Sequence, residues 1–225
     1  MTSVDFSTLR TRMVDSQVRT TDVTDLAIID AMLSVPREKF VPARWRELAY
    51  IDTDVEIDAG SSDRGARYLM EPSPFAKLLQ LASIKPGDFV LDVGTGTGYS
   101  AAILSKIASS VVALESDPTL ASGAAERLAA LGCDNVAVVE GNLAAGHASE
   151  APYDVIVVEG AVQRPPEGLF GQLRDGGRLV VIEGLGNTGV AKAYIRDGET
   201  VAGRPAFNAA VRLLPGFEVE PSFTF

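Results

Sequence analysis

A single cysteine, Cys133, and a single histidine, His147, occur among 225 residues. A lone thiol cannot close an intrachain disulfide, and a cysteine-ligated metal site needs several, so no metal is expected. His147 stands in a loop-like stretch, which leaves histidine-based acid–base chemistry little to draw on. Positive charge is also short: 20 Lys and Arg against 30 Asp and Glu give a net charge of −10. Such a balance cannot neutralise a phosphate backbone and argues against a nucleic-acid surface. No apolar run approaches the roughly 20 residues that cross a bilayer. Met1 to Arg12 lacks the apolar stretch of a secretory leader, so a cytoplasmic protein without membrane contact is expected. Aromatic residues are 7% of the chain, beside 46% hydrophobic and 22% charged, an ordinary globular balance. The length suits one compact unit with a sizeable core.

Glycine, by contrast, is concentrated where it matters. The apolar run Phe89-Val90-Leu91 reads as a buried parallel strand and stops at Asp92-Val93-Gly94-Thr95-Gly96-Thr97-Gly98. A helix-compatible run, Ser100 to Leu104, follows at once. Glycine permits a sharp turn and lets a ligand approach the main chain. Strand, turn and helix together form a nucleotide-type pocket at the carboxyl end of a sheet. A dinucleotide fingerprint would need a small third residue at position 99, where Tyr99 stands, so a nicotinamide oxidoreductase is disfavoured. The pattern Asp92-x-Gly94-x-Gly96-x-Gly98 instead resembles motif I of the S-adenosylmethionine (SAM) methyltransferases. Further on, Ser110-Val111-Val112-Ala113-Leu114 ends in Glu115, an acid at a second strand tip that can accept both ribose hydroxyls.

The rest of the chain alternates in the same sense. Helices are predicted over residues 5–18 and 25–34, the second with Leu26, Ile29, Met32 and Leu33 on one face, and a short helical piece spans Trp45 to Tyr50. The polar stretch from Asp52 to Arg67 reads as a mobile loop. After a helix over Pro74 to Ala82, strands are predicted near 88–93, 110–115, 135–140, 154–159 and 178–182, with helices near 99–107, 118–131 and 166–173. Alternation of this kind implies a mostly parallel sheet with helices on both faces. Val190 to Ile195 and Val201 to Phe207 flank Asp197-Gly198, so an antiparallel C-terminal hairpin should finish the sheet. The expected architecture is an α/β, Rossmann-like SAM methyltransferase core over residues 85–225, with an N-terminal helical cap and substrate-side loop over 1–84.

Several segments carry a more specific likeness. Met13-Val14-Asp15-Ser16-Gln17-Val18-Arg19, Val35-Pro36-Arg37-Glu38-Lys39-Phe40-Val41-Pro42, Glu47-Leu48-Ala49-Tyr50, Lys85-Pro86-Gly87-Asp88, Ala151 to Val158, Gly176-Gly177-Arg178-Leu179-Val180 and Val211 to Pro215 occur in this order. Together they resemble the protein-L-isoaspartate O-methyltransferase family over roughly residues 10 to 215. The resemblance implies SAM as cofactor, S-adenosyl-L-homocysteine as product, and a protein or peptide carboxylate as substrate. It implies cofactor contacts from Asp92, Gly94, Thr95, Gly96, Gly98, Glu115, Ser116, Asn142 and Leu143. Where the family has Thr-Ile-Ser beside the substrate carboxylate, this chain reads Tyr68-Leu69-Met70, and the approach from Gly60 to Pro72 is longer. Gly-Asp beside adenine becomes Gly141-Asn142, and Asn can still hydrogen-bond an adenine edge. The cofactor half is kept and the substrate half rewritten. Ser73 or Ser61 could supply a hydroxyl from a shifted loop.

Methyl transfer is an in-line displacement in which positioning supplies roughly 7–11 kcal/mol of the barrier. A carboxylate acceptor, with a pKa of about 4, is already ionised and needs no base. A hydroxyl or amine would need one. Glu159, at a strand end where the family usually has an uncharged residue, is the candidate catalytic group, with Glu71 beside Pro72 as a second. Glu159 could stabilise a cation or take a proton, or be a strand-end acid bonded to backbone N–H groups. Arg212 could meet an acceptor carboxylate or lie in solvent, and Trp45 is expected to pack the cap. Three readings follow: a family methyltransferase with an altered acceptor site, a non-catalytic SAM-binding protein that engages a partner, or a repair enzyme with a rearranged loop.

Overall fold

A computed structural model describes residues 4–60 and 65–219. Asp5 accepts a hydrogen bond from the Thr8 amide and opens α1 (Phe6–Met13). The helix expected over 5–18 is not uniform: it widens into a π turn at Val14–Val18 and tightens into a 3-10 turn at Arg19–Thr21. Asp25 caps α2 (Leu26–Ser34) by accepting from the Ala27 and Ile28 amides. Here the expected inner face needs correction. Leu26 is 68% exposed, and the buried stripe is Ile28, Ile29, Ala31 and Met32. Leu26 lies two residues before Ile28, so about 200° round the helix from it.

The stretch read as a loop contains two short strands, β1 (Val55–Asp58) and β2 (Arg67–Leu69), paired antiparallel. Val55, Ile57, Arg67 and Leu69 point inward while Glu56 and Tyr68 lie half-exposed between them. That is the period of two expected of a strand, over too few residues to stand out in an acidic segment. Ser61 lies outside the described residues.

After α3 (Pro72–Ala82) the chain alternates as expected: β3 (Phe89–Val93), α4 (Tyr99–Ile107), β4 (Ser110–Glu115), α5 (Pro118–Ala130), β5 (Val136–Glu140), β6 (Tyr153–Val162), α6 (Glu167–Phe170), β7 (Leu173–Glu183), β8 (Val190–Asp197) and β9 (Thr200–Asn208). The helix expected over 166–173 is short because Leu173 already pairs with Tyr153 as strand. The sheet runs β5-β4-β3-β6-β7-β8-β9. Its pairs are parallel as far as β7 and antiparallel from β7 to β9. The predicted hairpin turn is present, with Gly198 at φ +57 between Asp197 and Thr200. The segment around Val211 to Pro215, matched to a terminal strand, makes only a parallel bridge between Leu213 and Ala161.

One face of the sheet, with Val90, Val155 and Ile182, packs against the cap through Met13, Ile29, Phe40 and Phe75 in a continuous apolar cluster. The other face, with Leu91, Ile156 and Val181, is covered by Leu143, Leu169, Leu214 and Phe217. Strand order reverses direction at β3: the chain proceeds outward through β4 and β5, then returns to β6 on β3's other side. Ligand crevices open at such a reversal, beyond the carboxyl ends of the strands. No helix among the described residues is long and apolar enough to cross a membrane.

Candidate active site

The glycine turn after β3 takes the conformation its residues demand. Gly94, Gly96 and Gly98 have φ of +85, +58 and +94, a region that side chains with a Cβ avoid. Gly94 and Thr95 donate to the Leu114 carbonyl at 2.8 and 3.2 Å, which pins the turn to the end of β4. Thr95 and Gly98 are buried in the same turn.

Asp92 ends β3 fully buried. Its Oδ2 accepts from the Ser100 hydroxyl at 2.7 Å, while Oδ1 has no hydrogen-bond partner. Burial pushes its carboxyl up to about 7, a rise that the Ser100 bond opposes only in part. Glu115, at the tip of β4, is also fully buried. Its Oε2 accepts from the Gly96 amide at 2.8 Å, and its Oε1 from the amides of Ser116 and Asp117 at 2.8 and 3.1 Å. Ser116 is otherwise exposed. Asn142 is exposed at the end of β5, where its Oδ1 caps a 3-10 turn by accepting from the Ala145 amide at 3.1 Å. Leu143 beside it is buried. The expected cofactor residues thus gather at the ends of β3, β4 and β5.

Glu159 owes its position to an irregularity. Val157 pairs with Val180 and Ala161 with Ile182, so Val158 to Gly160 face the single residue Val181. A bulge of this kind re-aims side chains and recurs beside active sites. Glu159 Oε1 is buried without a hydrogen-bond partner, so this oxygen is not tied to backbone N–H groups. Burial, then the neighbouring Asp92, push its carboxyl well above the ordinary range and favour the protonated form.

Next to the bulge, the C-terminal tail is held by Ala161, which donates to the Arg212 carbonyl at 2.8 Å and accepts from the Leu214 amide at 2.9 Å. This brings Arg212, Leu214, Asp54 and Tyr68 together with Glu159 around a cavity of about 20 Å³. The Arg212 guanidinium lies 5.0 Å from the Tyr68 ring centroid and 3.9 Å from Asp54 Oδ2, and two-thirds of its side chain is exposed. Burial raises the Asp54 carboxyl, which accepts from the Glu71 amide at 2.9 Å. A second cavity of about 10 Å³ lies among Leu69, Met70, Thr95, Ser100 and Glu159. Glu71 and Ser73, in the approach to α3 and its first turn, line neither cavity. His147 is engaged elsewhere, with its Nε2 2.8 Å from the Ser149 hydroxyl. Trp45 packs against the cap cluster. Among the described residues, no group of three or more His, Cys, Asp and Glu is placed to hold a metal ion.

Arg67 was not singled out from sequence and turns out to be central. It is buried, and its Nη1 donates to Glu115 Oε1 while Nη2 donates to Oε2 at 2.8 Å and to the Gly94 carbonyl at 3.2 Å. A basic residue in a polar stretch reads as solvated. The signal available was its place one residue before Tyr68-Leu69, in an alternating run.

A SAM-type ligand can be tested against this arrangement. The set of polar groups suits it: an acid at the β4 tip for a sugar diol, a glycine turn for close approach, an unpartnered carboxylate oxygen on Asp92, and the NH2 of Asn142, whose Oδ1 caps the next turn. The enclosed space, however, holds about one water, against the roughly 300 Å³ or more of a small-molecule site. The chemistry of the residues suits the ligand, while the space enclosed here is too small to hold it.

The family model described as protein-L-isoaspartate(D-aspartate) O-methyltransferase matches residues 9–209. The protein-L-isoaspartate O-methyltransferase of Koribacter versatilis (strain Ellin345) is 41% identical over 176 residues, 78% of this chain and 77% of that protein. The one from Ignicoccus hospitalis is 41% identical over 157 residues, 68% of this chain and 72% of that protein. A solved protein-L-isoaspartate O-methyltransferase superposes with a TM-score of 0.79 at 26% identity, covering 92% of this chain and 67% of that one. A Plasmodium falciparum structure of the same description, in complex with S-adenosyl-L-homocysteine, shares the fold at a TM-score of 0.74 and 22% identity, covering 95% of this chain and 100% of that one.

Proposed function

Because this chain belongs to the protein-L-isoaspartate O-methyltransferase family, a family of SAM-dependent enzymes, we propose that it methylates a protein or peptide carboxylate through an acceptor site altered from the family's. The observation that carries this reading is the set of groups around the 20 Å³ cavity: Glu159, Asp54, Tyr68 and Arg212. Tyr68 is the residue that the family resemblance aligns with the Thr of Thr-Ile-Ser, and Leu69 and Met70 follow it. Leu69 and Met70 are buried and offer no hydroxyl.

Asp92, the Gly94–Gly98 turn, Glu115 and Asn142 would hold the cofactor, which supplies an electrophilic methyl group. The chain's own task is to bring an acceptor oxygen into line with that methyl and keep water away. A carboxylate arrives ionised, so no base is needed. That agrees with Glu159, whose environment favours the protonated form and therefore an O–H donor. A protonated Glu159 can donate to an acceptor carboxylate, whereas an ionised one would repel it. Arg212 at the rim can meet the same carboxylate through its guanidinium fork.

The test is transfer from labelled SAM to an isoaspartyl peptide and, separately, to a whole-cell protein extract. Expected is weak labelling of the peptide and clear labelling of extract proteins that is released as methanol by mild base, as a methyl ester requires. Efficient labelling of the peptide would return the chain to ordinary isoaspartyl repair. Base-stable label would move the acceptor away from carboxylates.

A further inference from the structure

The carboxylate that should grip the cofactor's ribose is already saturated, and by the protein itself. A carboxylate has about four acceptor positions. Glu115 accepts from five donors, the Gly96, Ser116 and Asp117 amides and both terminal nitrogens of Arg67, which leaves no position open. The three amides belong to the turn and strand tip that build the pocket. Only Arg67 comes from elsewhere, from β2 across the crevice. A ribose diol therefore cannot be added to this site. It has to replace the guanidinium.

The apolar neighbours of Arg67 are in the same position. A Cβ placed on Gly96 would lie 2.8 Å from Ile57 Cδ1, and one on Gly94 would lie 2.8 Å from Leu214 Cδ1. The close approach that glycine permits is thus being used by a side chain of β1 and one of the tail. Charge matches as well. Glu115 is a fully buried carboxylate for which a cation is favourable, and buried Arg67 supplies one as an ion pair. A sulfonium ligand with an ammonium tail would supply the same sign.

We infer that the β1–β2 hairpin is a built-in competitor for the SAM site, with Arg67 holding Glu115 in place of the ribose and Ile57 covering the glycine turn until cofactor displaces them. This rests on the cofactor reading of the site given above. The device makes cofactor affinity a property of the hairpin. If the open form is a fraction f of the population, the apparent dissociation constant is the intrinsic one divided by f.

The experiment uses the full chain and S-adenosyl-L-homocysteine as the probe, in calorimetric titration and in amide hydrogen exchange. Arg67→Met, which keeps the length of the stem and removes the fork, should bind the probe at least tenfold more tightly than wild type. In wild type, saturating probe should speed exchange in Val55–Asp58 and Arg67–Leu69 while protecting the glycine turn. If wild type binds, Arg67→Met binds no tighter and the hairpin amides slow or do not change, the inference is overturned and the cofactor reading stands. If neither protein binds the probe, both fall. Should Arg67→Met fail to fold by circular dichroism, the exchange measurement on wild type decides alone.

Discussion

Glu159 shows what a single residue's surroundings do to its chemistry. From sequence it could serve as a base, a partner for a cation, or a satisfied strand-end acid. Its Oε1 has no partner, and burial beside Asp92 favours its neutral form, which makes it a donor rather than a base. Glu159→Gln keeps a donor of the same shape and should retain most turnover with a carboxylate acceptor labelled in the transfer assay. Glu159→Leu should lower kcat/KM about 10²-fold, the scale of losing one well-aimed donor, with probe binding unchanged. Steady-state kinetics paired with titration checks both. A Gln variant as inactive as the Leu variant would mean that the carboxyl's ionised form is needed.

At the scale of elements, the organising contact is Arg37, a fully buried cation in the segment over residues 35–42 that resembles the family closely. Its Nε donates to the Ala49 carbonyl and its Nη2 to the Met70 carbonyl, each at 2.7 Å, and its guanidinium sits 4.8 Å over the Tyr99 ring. One side chain thus ties the 3-10 turns Arg37–Lys39 and Ala43–Leu48 of the cap to the end of β2 and the start of α4. Arg37→Met should cost about 3 kcal/mol in urea denaturation, since two charge-assisted bonds vanish and two buried carbonyls lose their partners. The elements themselves were uneven to read. β3, β4 and β6 were legible because buried parallel strands are short apolar runs with sharp ends. The β1–β2 hairpin was not, because Val55, Ile57 and Leu69 are scattered among acids and glycines and gain their apolar partners only across the crevice.

Across the whole molecule, the buried acids set a pH dependence of stability. In the folded chain the Asp92 carboxyl lies at about 7, above its ordinary 3.8. Between those values the folded state binds more protons than the unfolded one, so this group's contribution to stability is present below about pH 4 and is lost as pH rises through about 7. Asp92→Asn can keep the Ser100 bond and removes the titration. Relative to wild type, the variant should therefore gain stability steadily between pH 4 and pH 7.5 in chemical denaturation series. A difference independent of pH would show that Asp92 is ionised throughout.

The residue text alone determined the sheet, its helices, the glycine turn and the acid at the β4 tip, because each is encoded by neighbours within one strand, turn or helix. It also carries Tyr68-Leu69-Met70 where the family resemblance has Thr-Ile-Ser, which is the basis for proposing an altered acceptor site. Tertiary structure alone decided what fills that pocket. Arg67 and Glu115 are 48 positions apart, and no local pattern says that a guanidinium from one will saturate the other. Such a pairing arises only when the fold removes both charges from water, where each is far costlier alone than together.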